Sequence, residues 1–219
     1  AYLSCGTWAL LGVESQKSNS GEKALEYNFT NEGGIDGTTR LLKNICGLWM
    51  FERVRAELGL QDMDISALAA SCMDSVCETL VNPDDPSFAN PKSMVEAIKA
   101  YCEANALETP KTTADHVRVI YRSLAHRVGK VLDWLKELSP VAPERLHVIG
   151  GGSRNSHLMQ MLADSTRMPV VAGPAECTAL GNVLVQLRGC GNAPSLKHMR
   201  DIAINSTEVK TYHPAGEGK

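Results

Sequence analysis

The segment over 113–138 constrains the fold more than any other part of this sequence. Val117, Ile120, Tyr121, Leu124, Val128, Val131, Leu135 and Leu138 recur at the spacing of one helix face. Thr112-Thr113-Ala114-Asp115 supplies a capping-box start, and Pro140 follows the end. A long helix with one apolar stripe must bury that stripe against a second layer. Strand-like segments at 1–5, 8–14 and 25–30 precede it, the first two joined as a hairpin through Gly6-Thr7, and further strands are predicted at 146–149 and 168–172. Helices are predicted over 38–58, 65–80, 94–104, 156–165 and 178–188, with a Pro-interrupted loop at 82–91. This order predicts an α/β fold with a mixed, five-stranded sheet flanked by helices.

Composition narrows the function classes. The 219 residues are 43% hydrophobic, enough to bury a sizeable core. Their 22 basic against 25 acidic side chains leave a net charge of −3 and no basic footprint for nucleic acid or acidic membranes. No apolar run reaches membrane-spanning length, and no basic segment followed by an apolar block marks a secretory leader. Seven cysteines, an odd number without any C-x-x-C, are expected to be free thiols in a reducing cytoplasm. The sequons at Asn28 and Asn205 are then silent.

Two glycine-rich turns are candidates for chemistry. Gly6-Thr7 at the hairpin tip can direct backbone N–H groups and a hydroxyl at a phosphate, although hairpins also favour glycine for their own geometry. Gly150-Gly151-Gly152-Ser153-Arg154-Asn155 lies between a strand and a helix, where small residues admit a ligand to the main chain. Asn155 occupies the last glycine position of a G-x-G-x-x-G fingerprint, and no G-x-x-x-x-G-K-[ST] occurs. The spacing leaves a nucleotide site and a plain tight turn both open. Asn44, Leu48 and Glu52 share one stripe of the helix predicted over 38–58, with Asn44 and Glu52 about 12 Å apart along it. By spacing alone that stripe faces water. Asp84-Asp85 reads as solvated loop charge, Cys5 as a buried thiol without a nucleophile signature, and the six histidines show no metal-site spacing.

Taken together, three blocks are more specific. Leu3-Ser4-Cys5-Gly6-Thr7-Trp8-Ala9-Leu10, then Asn31-Glu32-Gly33-Gly34 with Thr39-Arg40-Leu41-Leu42-Lys43-Asn44-Ile45-Cys46-Gly47-Leu48-Trp49, and His147-Val148-Ile149-Gly150-Gly151-Gly152-Ser153-Arg154-Asn155 resemble the L-rhamnulose kinases among the FGGY carbohydrate kinases. Ala172-Gly173-Pro174-Ala175-Glu176 before Thr178-Ala179-Leu180-Gly181-Asn182, and the loop over 82–91, are similar to the same family. The resemblance implies a sugar kinase/actin-like (ribonuclease H-like) domain over 1–214 with a helical insert at about 60–110, followed by a disordered tail at 215–219. It implies the nucleotide-binding, C-terminal half of a kinase that acts on L-rhamnulose with ATP and Mg2+ in the cytoplasm. The sugar-binding domain with its catalytic Asp would lie in cis, upstream of Ala1, so this half alone should be inactive.

Carried over residue by residue, the family pattern places Gly6 and Thr7 at the ATP phosphates. It places Gly150, Gly151 and Gly152 at the adenosine with Asn155 near the purine edge, Glu52 (usually Gln in the family) at a second nucleotide contact, and Asn44 at the sugar. No catalytic residue and no metal ligand is assigned within this chain. Three other readings remain: a different FGGY sugar or polyol kinase, a stand-alone nucleotide-binding interaction domain, and a thiol enzyme using Cys5.

Overall fold

A computed structural model describes residues 1–216; residues 217–219 lie outside it. The chain opens with β1 (Tyr2–Cys5), β2 (Trp8–Ser15), α1 (Glu22–Glu26), β3 (Thr30–Gly33), β4 (Thr39–Cys46) and α2 (Trp49–Glu57). The middle holds α3 (Ile65–Ala70), α4 (Met94–Ala104) and α5 (Thr113–Leu138). The last third alternates, through β5 (Leu146–Ile149), α6 (Ser156–Thr166), β6 (Val170–Ala172), α7 (Cys177–Gly189), α8 (Leu196–Ser206) and β7 (Lys210–Tyr212). The sheet is mixed, in the order β3-β4-β2-β1-β5-β6-β7, with β1, β5 and β6 mutually parallel.

The sheet therefore has seven strands among the described residues, two more than expected. One extra strand is β4, inside the segment predicted as a helix over 38–58. Leu41, Leu42, Lys43 and Ile45 are all buried, because β4 is covered on both faces. A strand covered on both sides loses its two-residue alternation, and its apolar residues then imitate the helical period. The other is β7, which pairs with the edge of β6 from a stretch given no element in advance.

The segment at 25–30 departs in the opposite sense. Leu25, Tyr27 and Phe29 alternate like a strand, yet α1 ends at Glu26, and β3 begins only at Thr30 after a left-handed turn at Asn28. Tyr27 stacks on Trp134 of α5 with ring centroids 4.9 Å apart. The helix expected over 65–80 stops at α3 and a short 3-10 turn, and the chain then runs as a non-helical arm. At the C-terminal end, the Ala215 N–H donates to Asp164 at 2.8 Å, so the expected disordered tail does not include Ala215; its remainder at 217–219 lies outside the described residues.

The long amphipathic segment is α5, with the expected capping box between Thr112 and Asp115. Its apolar face packs with Leu3, Cys5, Ala9, Leu11, Leu41 and Ile45 of the sheet in the main core, which α6 completes. α5 and α6 approach closely at Gly129, where a Cβ would sit 3.1 Å from the Ser165 hydroxyl. The opposite face is covered more thinly. Glu14, which alternates with Ala9 and Leu11 along β2, pairs with Arg200 of α8 at 3.1 Å. Leu184, Ala193 and Met199 form a small second core there.

Candidate functional site

Two turns meet at the centre of the sheet because β1 and β5 are parallel neighbours. Ser4 lies opposite Ile149, so Gly6-Thr7 and Gly150–Gly152 leave the sheet side by side. The three consecutive glycines have separate causes. Gly150 has φ +86°, and a Cβ there would lie 2.7 Å from the Cys5 carbonyl oxygen. A Cβ on Gly152 would lie 2.5 Å from the Cys5 sulfur. A Cβ on Gly151 would meet nothing within 4 Å. The outer two glycines pack against Cys5, and the middle one leaves bare main chain facing open space. Cys5 is fully buried, and burial pushes its thiol up to about 12. That leaves no thiolate at neutral pH, so the thiol-enzyme reading loses its nucleophile.

The hairpin tip is tied to the entry of α2. The Gly6 carbonyl accepts the Leu48 N–H at 2.8 Å and the Thr7 carbonyl accepts the Trp49 N–H at 3.2 Å. Gly47 makes this possible, since a Cβ there would stand 2.5 Å from the Gly6 oxygen. The helix predicted over 38–58 runs through Gly47 and hides this role. Thr7 is exposed, and its hydroxyl makes no hydrogen bond among the described residues.

Glu52 and Asn44 do not share a helix: Asn44 is on β4 and Glu52 on α2. The solvent-facing assignment holds for both, since each is exposed, and Glu52 has Arg55 at 3.6 Å. Asn155 caps α6, its Oδ1 accepting the Leu158 N–H at 3.1 Å. Behind the glycine turn stands Tyr121 of α5, 1% exposed, tilted against Phe51 of α2. Burial pushes its phenol well up and the negative charge of Glu52 adds to this, while Asn155 beside the hydroxyl acts the other way. Asn155, at the end of the glycine turn, thus lies beside one buried tyrosine that also feels the charge of Glu52.

A cavity of about 550 Å³ opens on the other side of Thr7. β3 pairs with β4 only as far as Leu42, so 43–46 present a bare strand edge. Side chains from both faces of β4 reach the space beside that edge, and Lys43, Asn44 and Cys46 all line it. The opposite wall is the loop carrying Asp84, Asp85 and Phe88. Asp84 is not solvated loop charge. One of its oxygens accepts the Cys46 N–H at 2.7 Å, and the other accepts Arg127 Nε of α5 at 2.6 Å.

The arm leading to Asp84 lies along α5, held by side chains on successive turns. Asp115 accepts the Ser75 hydroxyl at 2.6 Å, Arg118 donates to the Cys77 carbonyl at 3.0 Å, and Ser123 accepts the Val81 N–H at 2.9 Å. Lys43 is 7% exposed. Burial lowers its pKa first, Arg127 lowers it further, and Asp84 opposes both. Lys43, Arg127 and Tyr121 had no site role in the sequence, and Asp84 read as solvated charge, because each gains its meaning only from packing.

Among the described residues no group of three or more His, Cys, Asp or Glu side chains is arranged to hold a metal ion, and no helix is long and apolar enough to cross a membrane. Residues 1–190 match the model of the FGGY family of carbohydrate kinases, C-terminal domain. A rhamnulokinase of Bacteroides thetaiotaomicron is 47% identical over 215 residues, covering 98% of this chain and 44% of that protein. A rhamnulokinase of Pectobacterium carotovorum is 41% identical, covering 99% of this chain and again 44% of the relative. Among solved structures, xylulose kinase from Rhodospirillum rubrum and Plasmodium falciparum glycerol kinase with ADP each superpose with a TM-score of 0.67, over 98% of this chain and 42% of theirs. Their identities of 17% and 14% speak for the sugar kinase/actin-like fold alone.

Proposed function

The chain belongs to the FGGY family of carbohydrate kinases, as a C-terminal domain of that family, and on that premise we propose that it is the ATP-binding half of a rhamnulokinase. The complete protein would move the γ-phosphoryl group of ATP to the 1-hydroxyl of L-rhamnulose. The choice of sugar is supported by relatives named rhamnulokinase at 36–47% identity. The chain spans about 44% of their length, which supports an N-terminal domain in cis that carries the sugar-binding face and the catalytic base.

The observation that carries the nucleotide assignment is the pairing of the two turns. Gly151 offers unshielded main chain, and Thr7 offers a free hydroxyl on the neighbouring turn. Backbone N–H groups and a hydroxyl at such turns suit phosphate oxygens. Glu52 and Asn155, gathered near Tyr121, are within the neighbourhood that would receive the nucleoside. Magnesium would arrive with the phosphates of ATP, keeping most of its own water. Asn44, at the cavity beyond Thr7, would face the sugar.

Calorimetric titration of MgATP and MgADP into this chain tests the assignment, with Gly151→Arg as the control. Binding that the substitution abolishes is expected; undiminished binding in the control would place the nucleotide elsewhere. The chain alone is expected to show no sugar-dependent ATP turnover, because positioning and charge stabilisation of the phosphoryl group need both walls of the cleft. Measurable turnover by the purified chain would sink that expectation.

A further inference from the structure

We infer that Lys43 is a sugar-binding residue, its ammonium group donating to an oxygen of the acceptor beside the one that Asn44 reaches. This rests on the sugar-kinase reading and extends it to a residue that the family pattern left without a role.

Lys43 is more than nine-tenths buried, yet no hydrogen bond and no acidic group within 4.0 Å holds its amine among the described residues. An ammonium at the end of a mostly buried side chain, with no partner in the protein, must find its hydrogen bonds in the space it opens on, from water or a ligand. The neighbouring Asp84 carboxylate makes no ion pair with it within 4.0 Å and is held instead by the Cys46 N–H and Arg127. The Lys43 nitrogen is not among the wholly enclosed unpartnered atoms, so it still touches open space. That space is the cavity it shares with Thr7 and Asn44.

The lining identifies the ligand class. Lys43 and Arg127 balance Asp84 and Asp85, so nothing there favours a net anion. Trp8 and Trp49 supply flat apolar surface beside these donors and acceptors, with the buried Phe88 packed behind them. Mixed polar groups around aromatic faces suit a neutral polyhydroxylated molecule, whose C–H faces and hydroxyl groups alternate. Arg127 is held through its Nε by Asp84, whereas the Lys43 amine has no hydrogen bond or ion pair among the described residues.

The experiment uses the complete protein with Lys43→Met and Lys43→Arg. The KM for L-rhamnulose is expected to rise roughly 10- to 100-fold in Lys43→Met, the usual effect of losing a hydrogen bond to a charged group. The KM for ATP and kcat should move less than about 3-fold, as when uniform binding is removed. Lys43→Arg should recover only part of the loss. The thermal midpoint of Lys43→Met should equal or exceed that of the parent, since the amine makes no hydrogen bond or ion pair within the protein to lose. An unchanged sugar KM overturns the inference. So does a fall in kcat alone, which would put the amine on the moving phosphoryl group, or a fall in the midpoint, which would make it structural.

If the parent phosphorylates no sugar, the kinase reading falls, and a second measurement still decides the inference. Acylation of Lys43 by a small amine-reactive ester is mapped by mass spectrometry, with and without L-rhamnulose, other ketoses and glycerol, or inorganic phosphate. Protection by a neutral sugar or polyol supports the assignment; protection by phosphate alone, or by none of them, overturns it.

Discussion

The three consecutive glycines look interchangeable but are not. Gly152→Ala drives a Cβ into the Cys5 sulfur and should destabilise the domain by about 1–3 kcal/mol. Gly151→Ala meets nothing and should stay within about 0.5 kcal/mol of the parent. Urea denaturation of the two variants separates packing from ligand access, and equal losses would refute the division. Cys5 predicts a pH effect at the same place. In the unfolded chain its thiol ionises near 9, whereas the folded one stays protonated up to about 12. Between those values the unfolded state binds fewer protons, so stability falls as pH rises, by up to about 1.4 kcal/mol per unit. Denaturation between pH 8 and 10 should show a slope that Cys5→Ala reduces. The sequence displayed Gly6, Thr7 and the glycine run plainly, because turns need particular residues at particular positions. It hid Lys43 and Tyr121, whose significance comes from neighbours more than thirty residues away.

At the scale of elements, legibility followed exposure. α5 announced itself because one face is buried and the other wet, and four strands, β1, β2, β5 and β6, fell where expected. β4 imitates a helix because it is buried on both faces, and the segment at 25–30 imitates a strand because Leu25, Tyr27 and Phe29 alternate across the end of α1 and the turn after it. The arm over 75–85 departs from the helix expected over 65–80, since its backbone is held by side chains of α5 rather than by its own hydrogen bonds. Asp84 is the last of those anchors. Asp84→Ala removes the partner of Arg127 and of the Cys46 N–H, and should destabilise the domain by about 1–3 kcal/mol. A double-mutant cycle with Arg127→Ala should return a clear coupling energy. Additive losses would mean that the arm is held without this pair.

At the scale of the molecule, the face that carries Thr7 and the cavity leaves Trp8 64% exposed. The proposed N-terminal domain would close over it. In a variant with Trp49 and Trp134 replaced by Phe, acrylamide should quench Trp8 less in the complete protein than in this chain. Equal quenching would show that the face stays open. The domain's identity was readable from blocks along the whole chain, but the two cleft pockets were not, because their walls are assembled from loops distant in sequence. One helix underlies both pockets. Tyr121 backs the glycine turn and Arg127 holds the acceptor wall, six residues further along α5 and so about 9 Å away. On the proposed reading the helix works as a gauge block, with the spacing between phosphoryl donor and acceptor built into a rigid part. Descendants of such a domain would then explore new sugars by altering the loop over 82–91, while changes to α5 would disturb both pockets at once. Diversity should therefore accumulate in that loop and stall along α5.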